Sequence, residues 1–211
     1  MRRERAALSI LPELEALLAD LPNDRAGVRI YGRSELAAIL SPDSRFGHML
    51  RPYVVAQHRP VRAILFDKSA EANWALGWHQ DRTIAVRERR DVPGFGPWSV
   101  KAGVQHVEPP FEVIEHMVTA RIHLDDVPKE NAPLLVALGS HRMGKLRESE
   151  MSLVSSRNPT MECIASAGDV WVYSTPIVHA SAASDSKTRR RVLQVDYAPF
   201  DLPGGLEWQG I

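Results

Sequence analysis

The chain has 211 residues, in which 26 Lys plus Arg balance 26 Asp plus Glu, with a single cysteine. That length suits one domain with a substantial core, and zero net charge offers no field for nucleic acid or an anionic membrane surface. Cys163 alone excludes an internal disulfide framework and fits a reducing cytosol, and its neighbours Met161 and Ile164 mark it as a small buried hydrophobe.

At the N-terminus Met1-Arg2-Arg3-Glu4-Arg5 has the charge of a secretory leader, but Pro12, Glu13 and Glu15 interrupt the apolar stretch behind it. No run reaches the ~18 apolar residues of a membrane span. A soluble, cytoplasmic protein is the expectation. Leu8, Leu11, Leu14, Leu18 and Leu21 recur at three- and four-residue spacing and predict an amphipathic helix over 5–20. Ser34 to Leu40 predicts a second helix, with Ser34 as its cap and Glu35 in its first turn; Phe46 to Met49 is a weaker helical stretch. From Val61 the pattern changes to strands: 61–66, 84–86, 117–124, 134–138, 170–173 and 192–197. In the third of these, Val118, Ala120, Ile122 and Leu124 share one face, and Met117, Thr119, Arg121 and His123 the other. Short strands between Gly/Pro/Asp/Asn turns, after a helical start, predict a mainly β sandwich or jelly-roll barrel. We expect a single domain over 1–211, with 1–58 as mostly helical support and 60–200 as the jelly-roll core. Segment 87–112, rich in Pro and Gly and carrying Phe95, Trp98 and Phe111, reads as a long irregular lid or binding loop.

Chemistry concentrates at Trp78-His79-Gln80-Asp81, at His179, and at Arg189-Arg190-Arg191. Residues two apart on a strand share a face, so His79 and Asp81 point together while Gln80 turns away. With His179 they make two histidines and a carboxylate, the facial triad of non-haem Fe(II), whose open face accepts a cosubstrate and dioxygen. Trp78 and the Asn73-Trp74 pair supply an apolar wall, and His179 is expected to end an apolar strand at the barrel mouth. Eleven residues further, after a turn through Ser184-Asp185-Ser186-Lys187, alternation lets one arginine face inward, and Arg190 is the choice. A guanidinium there suits the far carboxylate of a keto acid; the other two arginines are read as solvated.

These segments, with Leu124-Asp125-Asp126, Glu130-Asn131-Ala132-Pro133-Leu134 and Leu138-Gly139-Ser140-His141, resemble the phytanoyl-CoA dioxygenase family of Fe(II)/2-oxoglutarate-dependent oxygenases over roughly residues 60 to 200. The resemblance implies a double-stranded β-helix, a cupin-like jelly roll, with N-terminal helices on its larger sheet. It implies iron held by His79, Asp81 and His179, and 2-oxoglutarate held by Arg190 with help from Ser181 and Arg121, the last where the family often has Trp. Ala132 stands where the family often has Gly. Asp81 favours hydroxylation, because halogenating relatives carry a small residue there. His141 is read as a hydrogen-bonding loop residue. His106, Lys68, Asn73, Trp78 and Trp98 are candidates to line the mouth toward a small-molecule substrate, with simple solvation weighed equally for Lys68. Two other readings stay open: a cupin-like metal enzyme that does not use 2-oxoglutarate, and a non-catalytic ligand-binding jelly roll. Neither the substrate nor the oligomeric state is legible.

Overall fold

Strand alternation sorts this chain into faces, and the faces decide the architecture. The computed structural model describes residues 2–5, 7–55, 57–69, 72–186 and 188–211. In chain order its elements are β1 (Arg2–Glu4), α1 (Leu11–Leu18), β2 (Gly27–Ile30), α2 (Ser34–Leu40), α3 (Arg45–Leu50), β3 (Arg59–Lys68), β4 (Leu76–His79), β5 (Ile84–Val86), β6 (Trp98–Lys101) and β7 (Val104–Val107). Then follow α4 (Phe111–Glu115), β8 (Val118–His123), β9 (Leu135–Ala137), α5 (Glu148–Arg157), β10 (Thr160–Glu162), β11 (Val170–Ser174), β12 (His179–Ser181) and β13 (Arg190–Ala198). A six-stranded sheet has the order β1-β11-β8-β13-β3-β2, and a four-stranded sheet the order β10-β9-β12-β4. Every pairing in them is antiparallel. Leu134, Val136 and Cys163 from the smaller sheet and its flanks pack on Trp171 and Tyr173 of the larger one. Two sheets closed around that core form the expected jelly roll.

The outer face of the larger sheet is apolar. Ala63 and Leu65 of β3, Ala120 and Ile122 of β8, and Leu193 and Val195 of β13 pack under Leu11, Leu14 and Leu18 of α1, Leu36 and Leu40 of α2, and Phe46 and Leu50 of α3. Apolar burial fixes this layer, each such side chain contributing ~1.5–3 kcal/mol. Its inner face is therefore free to be polar, and it carries the site.

Several expectations change in detail. The first helix begins at Leu11 rather than near residue 5, with a 3-10 turn at Leu8–Ile10 before it. Pro12 lacks an N–H and so belongs in the first turn of the helix, which leaves Leu8 exposed. At α2 the cap is Arg33, and Ser34 is already helical; Ser44 does cap α3, accepting from the Gly47 amide at 2.9 Å. The helical support also contributes strands, because β1 and β2 form both edges of the larger sheet. Cys163 is buried as expected, and burial pushes its thiol up to about 12.

Segment 87–112 is irregular only in part, over 87–97 and 108–110. β6 and β7 form a hairpin that pairs with β5 in a three-stranded sheet. Lys101 faces Val104 across a two-residue turn in which Ala102 (φ 50°) and Gly103 (φ 80°) are both left-handed. That is the backbone of a type I′ hairpin turn, hidden in the sequence because alanine rather than Asn or Asp fills its first position.

Gln80 shows how the fold aims its neighbours. Its side-chain amide donates to the Gly144 carbonyl at 3.1 Å and the Pro176 carbonyl at 2.9 Å, and its oxygen accepts from the Leu146 amide at 3.0 Å. Gln80 is buried in this clamp, so alternation turns His79 and Asp81 the other way. Gln80→Leu keeps the volume but strands three buried backbone groups, and should lower unfolding stability by about 2–4 kcal/mol. Urea denaturation measures it; an unchanged midpoint would contradict the clamp.

Candidate metal and cosubstrate site

His79 ends β4 and His179 opens β12, where the two residues pair in register. His179 thus starts a strand instead of ending one, because the chain turns between β11 and β12, with the Ile177 amide bonded to the Ser174 carbonyl. The imidazole centroids are 4.2 Å apart. The ligand atoms of His79, Asp81 and His179 all lie within 4.8 Å of one another.

The protonation of this trio suits a cation. His79 Nδ1 lies 2.7 Å from the Gly77 carbonyl, and His179 Nδ1 lies 2.8 Å from the Ile177 carbonyl. A carbonyl can only accept, so each Nδ1 carries a proton and Nε2 is the ring atom left to face a metal. Burial, opposed by the Asp81 charge, brings the His179 imidazolium down to about 4. Burial alone would raise the Asp81 carboxyl, but Arg62, followed by the two histidines, holds it at about 2. A neutral His179 and an ionised Asp81 are deprotonated donors of the kind metal binding needs.

Arg62 and Gln194, which the sequence reading did not single out, hold that carboxylate. Arg62 lies 3.5 Å from Asp81 and is hydrogen-bonded to Asp196, which is further held by Thr119 at 2.8 Å. Gln194 Nε2 donates to Asp81 at 3.3 Å, while its oxygen accepts from Arg121 at 2.7 Å. The signal was alternation: Arg62 shares a face with Ile64, Phe66 and Lys68 on β3, and Gln194 shares one with Arg190 on β13.

Arg190, Arg121 and Ser181 line the same cavity as the triad. Arg190 is 3% exposed, donates to the carbonyls of Asn131 and Ala132, and leaves its Nε without a partner. Burial, and then Arg121, lowers its guanidinium to about 10. Lys68 is not solvated: it is 1% exposed, donates to Ser181 Oγ at 3.0 Å and to the Ala182 carbonyl, and stacks over Trp74. Burial, then Arg190 and Arg121, lowers its ammonium to about 7. Arg121 lies over the Phe66 ring. Among the described residues none of these three cations has a carboxylate partner. Their neighbours Arg189 and Arg191 are ion-paired rather than merely solvated, with Asp67 and with Asp125 and Glu15.

The segments that carry the family resemblance act as struts. Asn131 accepts from Ser184 Oγ at 2.7 Å, and Ala132 holds its carbonyl toward Arg190 from a left-handed backbone (φ 46°), where glycine is the easier residue. Ser140 donates to the Ala137 carbonyl and accepts from the Val178 amide at 2.8 Å, which fixes the residue before His179. His141 lies in the 3-10 turn Ser140–Arg142, outside the triad. Lys187 lies outside the described residues.

The mouth differs from expectation. His106 lines the cavity, and burial lowers its imidazolium to about 4. Trp74 lines it too, but Asn73 does not; it exchanges two hydrogen bonds with Ser184 and ties loops together. Trp78 faces away, packed with Val178, Met151 and Val154 beneath α5. Trp98 packs with Val107 and Trp208 and under Arg89. On β4 and β6 these tryptophans fall on the face opposite the cavity, which an undivided loop could not reveal. Arg29, Lys101, Thr83, Ile64, Phe66 and Leu76 complete the wall.

Comparison with known proteins agrees with this geometry. No curated protein matches the chain by sequence. AviO1 from Streptomyces viridochromogenes Tue57 is similar in structure, with TM-score 0.56, 20% identity, and coverage of 95% of this chain and 85% of that one. HygX from Streptomyces hygroscopicus, solved with nickel, 2-oxoglutarate and hygromycin B bound, gives TM-score 0.60 and 18% identity over 93% and 82% of the two chains. SnoN, a non-heme alpha-ketoglutarate-dependent epimerase from nogalamycin biosynthesis, gives 0.58 and 17% over 95% and 81%. At these identities they establish the fold. The family model for phytanoyl-CoA dioxygenase (PhyH) matches residues 34–192, most of the chain, including the triad, Ser181 and Arg190, so this chain belongs to the phytanoyl-CoA dioxygenase family of Fe(II)/2-oxoglutarate-dependent dioxygenases.

Proposed function

We propose that this dioxygenase hydroxylates a C–H bond of a small molecule, with Fe(II) held by His79, Asp81 and His179 and 2-oxoglutarate spanning from that iron to Arg190. When bound, the iron supplies the activation of dioxygen that accompanies decarboxylation of 2-oxoglutarate to succinate and CO2. The remaining work falls to the chain. Gln80, Ser140 and the two carbonyls behind the imidazoles orient the donors. Arg62 and Gln194 keep Asp81 anionic and aimed. Arg190, with Ser181 and Lys68 beside it, receives the distal carboxylate in a pocket that excludes water. Arg121, joined to Asp81 through Gln194, positions the nearer end. Asp81 would be a third protein ligand to the metal, which favours hydroxylation over transfer of another bound group. A lone buried Cys163 fits a reducing cytoplasm.

The observation that carries the reading is a buried guanidinium, Arg190, without a carboxylate partner among the described residues, lining the same cavity as the three candidate metal donors. An uncompensated buried charge costs several kcal/mol, and a dicarboxylate removes that cost when it binds. A metal enzyme without 2-oxoglutarate leaves Arg190 and Lys68 unexplained.

The direct test is iron-dependent succinate release from 2-oxoglutarate, measured with the protein alone and with candidate substrates. His179→Ala should abolish release and weaken iron binding by more than about 100-fold, beyond the ~10–100-fold loss typical of an outer partner. His141→Ala should leave both nearly intact, and the reverse pattern would overturn the ligand set.

Lys68 predicts a pH effect. With its ammonium lowered to about 7, Lys68 is largely neutral at pH 8 before an anion arrives. A carboxylate nearby favours the charged form, so 2-oxoglutarate binding at pH 8 should take up to about one proton, and almost none below about pH 6. Calorimetry in buffers of different ionisation enthalpy reads this uptake. Lys68→Gln should remove it; equal uptake in the variant would assign the proton elsewhere.

A further inference from the structure

The cavity has a second cationic pole that neither the metal nor 2-oxoglutarate uses. Along the inner face of β3, Lys68, Phe66, Ile64 and Arg62 follow in register with β13, where Arg190 faces Lys68 and Asp196 faces Arg62. Six residues of strand separate these ends by ~20 Å. The triad lies toward Arg62, since Asp81 touches it. On the adjoining edge strand Arg29 pairs with Ile64, so it projects to the same inner side. The hairpin β6–β7 brings Lys101 and His106 to the same wall.

The charges at this pole do not cancel. Arg62 is matched by Asp196 and Asp81. Arg29 has no carboxylate partner among the described residues, and its Nε is buried without a hydrogen bond. Among the described residues Lys101 has no carboxylate partner, and it donates to the Thr83 hydroxyl at 3.4 Å. Burial, then Arg62, lowers the Arg29 guanidinium; Lys101, an exposed residue at the end of β6, is lowered by partial desolvation and by Arg62 and Arg29, with Asp81 opposing. Divalent iron and doubly negative 2-oxoglutarate would cancel each other, which leaves this pole positive. The cavity shared by this pole and the triad has Ile64, Phe66 and Leu76 as apolar lining.

We propose that the substrate is an anion, a carboxylate or phosphate on an apolar body, whose charged group is held by Arg29 and Lys101 so that its apolar part lies before the metal ligands. This rests on the site's being an iron and 2-oxoglutarate site with Arg190 as the cosubstrate anchor. His106, kept neutral by burial, offers Nε2, a buried ring nitrogen without a partner, as an orienting contact.

Isothermal titration of the Fe(II)- and 2-oxoglutarate-loaded protein under nitrogen tests it, with benzoate, phenyl phosphate, benzyl alcohol and benzylamine as matched probes. At least one of the two anions should bind ten-fold or more tighter than the alcohol, with no binding of the amine, and the better anion distinguishes carboxylate from phosphate. The charge-reversed pair R29E/K101E should invert the order toward benzylamine, a gain that misfolding cannot produce. The single variants R29Q and K101Q should each weaken the anion several-fold. Equal affinities across the series, no binding of either anion, or an anion preference that survives charge reversal would overturn the proposal. A separate titration of 2-oxoglutarate into the iron protein judges the cosubstrate reading, because its failure would show there and not in the order of the probes.

Discussion

The constraint on which the rest depends is the burial of Lys68, Arg121 and Arg190 on the inner face of one sheet without a carboxylate among the described residues to neutralise them. A fold maximising its own stability would pair these charges or replace them with apolar side chains. Here the apolar work is done on the opposite face, under α1, α2 and α3, and the inner face is left polar. The cations are held by what a ligand would not displace: carbonyls behind Arg190, the Ser181 hydroxyl and Trp74 beside Lys68, Gln194 and Phe66 beside Arg121. They are positioned in advance of the anion, so little reorganisation remains when it binds.

Opposite them, the smaller sheet presents two imidazoles whose Nδ1 atoms are bonded to backbone carbonyls. The same two-residue periodicity builds both walls. It turns Gln80 into the protein and His79 with Asp81 into the cavity, and on β13 it selects Arg190 inward while Arg189 and Arg191 pair with acids outside. Gln194 joins the walls, donating to Asp81 and accepting from Arg121. Loss of that link should therefore be felt at both ends of the site.

Much of this was legible in the sequence where periodicity was strong. β8 and β13, the triad, the inward Arg190 and the jelly roll all follow from alternation and spacing, and family resemblance added the cosubstrate. Three things were hidden. The hairpin at Ala102-Gly103 uses a turn residue that does not advertise its left-handed backbone, so Trp98 was drawn to the mouth when it packs elsewhere. Trp78 and Asn73 neighbour the ligands in sequence, yet one lies beneath α5 and the other bridges two loops. Arg62 and Arg29 look like ordinary strand arginines until pairing shows which way β3 and β2 face.

The most direct test of the account is an anaerobic titration of the iron-loaded protein with 2-oxoglutarate, followed by the visible charge-transfer band of the chelate. A band that saturates at one 2-oxoglutarate per iron, and whose half-saturation rises at least ten-fold in Arg190→Gln, is what the account predicts. Absence of the band in the unaltered protein, or an unshifted titration in Arg190→Gln, would contradict it.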